Sequence, residues 1–192
     1  MRPRYLEIEG LQSFKDLQSI DFDKLSETGL FGIFGPTGSG KSTILDAITL
    51  ALYGNVQRAN RGTQGIMNTA VNTMRVSFSF DLAKANERRS YRVERTYRRK
   101  KDSLNSVEAR VVRLLEVTAA GDIVMADKQG EVNAAVVELL GLQFDDFTRS
   151  VVLPQNKFQE FLLSQKAEKT KMLERIFYLE EYGRQPDEKI NK

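Results

Sequence analysis

The octapeptide Gly35-Pro36-Thr37-Gly38-Ser39-Gly40-Lys41-Ser42 follows the pattern G-x-x-x-x-G-K-[ST]. Glycines let so short a loop wrap with its N–H groups pointing inward. Downstream, Ile44, Leu45, Ala47, Ile48, Ala51 and Leu52 recur with helical spacing and predict a helix from Lys41 to Tyr53. Upstream, Leu30-Phe31-Gly32-Ile33-Phe34 is a short apolar run bounded by glycines, which predicts a strand buried on both faces. The order strand, loop, helix aims a helix N-terminus at whatever the loop encloses, and that end attracts anions. Gly35 to Gly40 and Thr43 are therefore expected to line an ATP phosphate site. Lys41 would supply a point charge for the β- and γ-phosphates and Ser42 a hydroxyl for Mg²⁺. The bland alternative is a flexible Gly-Ser-Gly turn with an exposed lysine; the flanking strand and helix signals weigh against it.

Composition narrows the chemistry. The 192 residues include no cysteine and no histidine, which excludes disulfides, thiolate metal sites and imidazole bases. No stretch has the roughly 20 apolar residues that span a bilayer, and no signal peptide is recognisable, so a soluble, cytoplasmic chain is expected. The 29 basic and 26 acidic residues leave a formal charge of +3, which permits a polyanionic partner without requiring one.

Strands are predicted near Tyr5 to Leu11 and Leu17 to Phe22, and an irregular connection over Gly54 to Asn72. The alternation in Val76 to Phe80, Tyr91 to Tyr97 and Val107 to Val112, separated by polar turns, predicts an antiparallel meander. Val132 to Leu140 reads as an amphipathic helix stopped by Gly141. From Ala167 onward a charged helix carries Met172, Leu173, Ile176, Phe177 and Leu179, as at the root of a coiled coil. The densest positive run is Arg88 to Lys101. In a strand, Arg92, Arg98 and Lys100 share one face, while Tyr91, Val93, Arg95, Tyr97 and Arg99 share the other. Arg98, Arg99, Lys100 and Lys101 are the candidate contacts to DNA phosphates, against the plainer reading of a solvated hairpin.

Phosphoryl transfer at such a loop also requires a carboxylate at the end of an apolar strand. Phe78-Ser79-Phe80-Asp81 alternates instead of running apolar, and Val112-Arg113-Leu114-Leu115-Glu116 contains an arginine. Neither fits, so the site reads as half encoded here.

A second signal is Phe147-Thr148-Arg149-Ser150-Val151-Val152-Leu153-Pro154-Gln155-Asn156-Lys157-Phe158-Gln159-Glu160-Phe161-Leu162, which reads as a buried strand, a glutamine at a break, and an amphipathic helix. LFGIFGPTGSGKSTILDAITLALYG, FTRSVVLPQNKFQEFL and AEKTKMLERIFYLEEYG together resemble the N-terminal part of the SbcC family, ATPase subunits of bacterial SbcCD nucleases related to double-strand-break-repair ATPases and SMC proteins. The resemblance implies an α/β P-loop ABC-type ATPase head: an N-terminal lobe over 1–165, with a core sheet, helices and an antiparallel β region, then a coiled-coil root over 166–192. It makes Gln155 the Q-loop glutamine, a catalytic residue and Mg²⁺ ligand, and brings Gln12 and Ser13 to the nucleotide. Asn156 departs from the family's usual glycine, though asparagine tolerates a left-handed backbone. By resemblance the partners are an SbcD-type nuclease subunit, the chain's own C-terminal ATPase half, a second head across two ATP molecules, and double-stranded DNA of the nucleoid. The family's Walker B carboxylate, signature motif and switch histidine lie beyond a long coiled coil, so this chain is expected to be an N-terminal fragment, inactive alone. An SMC-like or RecF-like ATPase, or a silent DNA-binding scaffold, are the alternatives.

Overall fold

The computed structural model describes residues 1–26, 29–59, 63–84, 87–101 and 105–151. The chain forms two compact units, Met1–Val136 and Val137–Lys192. In the first, β1 (Arg2–Glu9), β2 (Gln18–Asp21), β3 (Thr73–Lys84), β4 (Glu87–Arg99), β5 (Val107–Thr118) and β6 (Gly121–Ala126) build one antiparallel sheet in the order β2-β1-β3-β4-β5-β6. The short α1 (Phe22–Leu25) starts where the Asp21 carboxylate accepts the Asp23 and Lys24 N–H groups at 3.1 and 3.3 Å.

Alternation decides the faces. Register places Leu6 and Val93 on either side of Phe78, and Leu114 beyond Val93, and all four are fully buried. A one-residue slip would turn this whole row to water, at about 1.5–3 kcal/mol for each side chain. Helix α2 (Lys41–Tyr53) packs on β1, β3 and β4 and buries Ala47, Leu50 and Ala51. The opposite face is polar, and its charges are largely paired: Arg75 with Glu7 at 3.7 Å, Arg92 with Glu94 at 3.0 Å and with Asp122, Arg4 with Asp81 at 3.1 Å.

The helix over Lys41–Tyr53, the meander and the irregular connection after Gly54 follow the sequence expectation, and β6 was not foreseen. Two expected strands differ. Leu30 to Phe34 is irregular and lies outside the sheet, with Leu30 83% and Phe34 92% exposed. A central strand needs neighbours on both sides to take up its N–H and C=O groups, and none of the described strands runs beside it. Phe147 to Ser150 belongs to helix α4 (Phe144–Ser150), which Val151 closes by donating its N–H to the Phe147 carbonyl at 2.9 Å. Helix α3 (Gln129–Leu140) carries the chain into the second unit and ends at Gly141, φ 67°, as expected. Gln155, the 165/166 boundary and the coiled-coil root lie outside the described residues.

Candidate phosphate-binding site

The site is assembled at the N-terminal end of α2. Gly40 sits there at φ 93°, a conformation open to glycine, and a Cβ at this position would come within 2.8 Å of Phe14 Cζ. Before it, the Ser39 N–H donates to the Pro36 carbonyl at 3.2 Å, closing the loop on itself. The Lys41 ammonium arches back over this turn and donates to the carbonyls of Gly35 at 2.8 Å and Pro36 at 2.7 Å. The opening amides of α2 have no carbonyl one turn back within the helix; Ile44 is the first to find one, Gly40 at 3.2 Å. Lysine, helix end and inward-turned loop thus gather positive charge at one exposed place, the arrangement a polyphosphate requires. Ser42 is exposed on the first turn, whereas Thr43 is buried.

The connection between β1 and β2 supports this loop. Ser13 Oγ donates to the Gly38 carbonyl at 3.0 Å, and Thr43 Oγ1 donates to Gln12 Oε1 at 3.0 Å. Gln12 is, among the described residues, the one non-glycine with positive φ, 46°. Its surroundings over-determine that strain: its N–H reaches the Ile66 carbonyl at 2.9 Å and its own carbonyl accepts Asn68 Nδ2 at 2.6 Å. Arg58 donates to Gln12 Oε1 at 3.4 Å and pairs with Asp46, which is 8% exposed. Burial pushes the Asp46 carboxyl above its ordinary range, and the Arg58 guanidinium pulls the other way. Gln12 and Ser13 are thereby brought against the loop, whereas Asp46 and Arg58 were missed by the sequence reading. The available signal was Asp46 itself, a carboxylate among the apolar positions of α2.

Asp81, the carboxylate that ends the Phe78-Ser79-Phe80 alternation, projects to the polar face of the sheet, away from the loop. There it accepts Ser90 Oγ at 2.8 Å and pairs with Arg4. Among the described residues no group of three or more His, Cys, Asp or Glu side chains is placed to hold a metal ion.

The basic run divides by face as its alternation predicts. Arg98, Lys100 and Lys101 are exposed near the end of β4. Arg99 is half-buried and committed elsewhere, donating to the carbonyls of Asn68 at 2.7 Å and Val71 at 2.9 Å. It fastens the loop before β3, which sets it apart from its exposed neighbours as a candidate for phosphate.

The AAA domain family matches residues 5–191. The chain belongs to the AAA domain family. Within it, the similar proteins include the SbcC component of the nuclease SbcCD from Bacillus subtilis, 54% identical over 183 residues, covering 95% of this chain and 16% of that protein. The equivalent SbcCD protein of Clostridium acetobutylicum is 47% identical over 95% of this chain and 15% of its own length. A protein named "Probable DNA double-strand break repair Rad50 ATPase" from Aquifex aeolicus is 37% identical over 94% of this chain and 17% of its length. The chain thus spans about a sixth of the relatives it matches, and the resemblance to SbcC-type ATPases drawn from its motifs holds. Among solved structures, the SMC head domain from Thermotoga maritima covers 93% of this chain and 72% of that one, at 17% identity and a TM-score of 0.38. No described helix is long and apolar enough to cross a membrane.

Proposed function

We propose that this chain is the phosphate-holding part of an ATPase head that works with a DNA nuclease. The observation that carries the reading is the loop itself: Lys41 folded over the Gly35 and Pro36 carbonyls at the open end of α2, braced by Ser13. In this reading the loop amides and the Lys41 ammonium bind the β- and γ-phosphates of ATP. On ligand entry Lys41 exchanges its two carbonyl partners for phosphate oxygens, a charge-assisted interaction stronger than the one it leaves. Ser42, exposed beside the lysine, and Gln155 are the residues to hold Mg²⁺, which when bound neutralises charge across the β,γ-bridge. Gln12 and Ser13 keep the loop in place beneath the nucleotide. The names of the relatives support an SbcD-type nuclease subunit as partner and double-stranded DNA as the object of the complex. The exposed Leu30 to Phe34 segment supports a further element beside it, supplied by the C-terminal half of the ATPase, with a second head closing over two nucleotides.

The test is nucleotide binding by the whole chain, with and without Mg²⁺. Lys41→Ala removes the charge-assisted interaction, worth about 1.5–3 kcal/mol, and should weaken ATP binding about tenfold or more. Equal affinities of the two proteins would refute the site. A chain that binds no nucleotide in either form would do the same.

A further inference from the structure

The inner face of β4 reads Tyr91, Val93, Arg95, Tyr97, and all four are buried. A guanidinium in this row has no counter-carboxylate among its hydrogen-bond partners. Arg95 is 0% exposed; its Nε donates to the Ala51 carbonyl at 2.6 Å and its Nη2 to the Leu52 carbonyl at 2.9 Å and Asn133 Oδ1 at 2.7 Å. Ala51 and Leu52 belong to the last turn of α2, where the helix leaves carbonyls without amide partners and its dipole is negative. Burial pulls the guanidinium's pKa down from its usual value, yet an arginine starts so high that it remains a cation. The charge is therefore held by the end of one helix.

The residue that follows the helix is shaped around it. Gly54 closes α2 at φ 66°, its N–H on the Leu50 carbonyl at 2.9 Å, and a Cβ there would lie 2.7 Å from Arg95 Nη1 and 3.5 Å from Tyr97 Oη. At the other end of the same helix, Phe14 lies under Gly40 and Gln12 holds Thr43. A helix of 13 residues is about 20 Å long and behaves as a rod over that length. Held at the loop end by neutral interactions and at the far end by the Arg95 cation on its last carbonyls, α2 transmits any shift of its C-terminus to the phosphate loop.

We propose that Arg95 is a positioning residue for the nucleotide, acting through α2: it pins the helix to β4 and so sets where Lys41 and the loop amides stand. This rests on the phosphate-site reading above, and it adds a regulatory consequence. Arg95 shares its strand with Arg98, so an anion bound at the charged end of β4 pulls on the element that holds the helix.

The experiment compares Arg95→Met, which keeps length and packing but cannot donate, with Val93→Ala, which weakens the same buried row without touching the helix end. Amide hydrogen exchange is measured on the full nucleotide-free chain under conditions where both variants are folded, together with ATP–Mg²⁺ affinity. Arg95→Met is expected to speed exchange about tenfold at both ends of α2, at Gly54 and at Ile44, and to weaken ATP about tenfold. Val93→Ala should lower the melting temperature and leave both readouts near wild type. Acceleration confined to Gly54, or equal effects of the two variants on Ile44, would overturn the proposal. Loss of ATP binding in wild type would overturn the nucleotide reading alone, because the exchange comparison judges the pin without ligand.

Discussion

Gly40→Ala tests the geometry of the phosphate loop in one substitution. The native φ of 93° is forbidden ground for an L-residue, and entering it costs about 1–2 kcal/mol. The new methyl would also stand 2.8 Å from Phe14 Cζ and 3.0 Å from Cε2. These atoms are the edge of a half-buried ring, which can swing away at about 0.5–1.5 kcal/mol of rotamer strain. The two contributions together are about 2–3 kcal/mol. For a chain of this size that lowers the melting temperature by about 5–10 °C. Thermal unfolding read by circular dichroism gives the shift, and a double-mutant cycle with Phe14→Ala separates the causes. Removing the ring should recover about 1 kcal/mol in the Gly40→Ala background, leaving the backbone part untouched. The same variant should bind ATP–Mg²⁺ more weakly, because relief by either route moves the first turn of α2. A Gly40→Ala chain that melts together with wild type, or additive behaviour of the two substitutions, would refute the reasoning.

Asp46 gives a pH dependence whose sign can be stated. Its folded-state pKa is raised by burial above the ordinary 3.8, so the folded chain holds this proton more tightly than the unfolded one. Stability from this group is present at low pH and declines as pH rises from about 3.8 through the raised value. Asp21, lowered by the Lys24 N–H, acts in the opposite sense and loses its contribution as pH falls below 3.8. Urea midpoints across pH should therefore show Asp46→Asn flattening the decline above 3.8 while the acid limb persists; superimposable curves would exclude the effect. Replacing Arg98, Lys100 and Lys101 with Glu should weaken double-stranded DNA binding. It should also reduce the slope of log affinity against log salt by about 0.9 for each phosphate that is no longer neutralised. An unchanged slope would return those residues to the role of solvated surface.

The parts of this protein legible from sequence are those set by local periodicity and backbone conformation. Helix α2 announces itself by its 3.6-residue pattern between two glycines, and β3, β4 and β5 by alternation, because these periods are imposed within a single element. The loop from Gly35 to Ser42 is equally local, since glycines and a helix start lie within one stretch of chain. Apolar content alone did not settle Leu30 to Phe34 or Phe147 to Val151, where burial depends on which strands lie alongside and not on the segment itself. Pairing across long separations was likewise invisible: Gln12 with Thr43, Arg58 with Asp46, and Arg99 with the Asn68 and Val71 carbonyls. Arg95 shows the division most clearly. Its place on the inward face follows from alternation along β4, but that it is held by the last carbonyls of α2 follows only from how the sheet and helix pack. A charge can be buried there because the helix end supplies acceptors that no neighbouring residue in sequence provides.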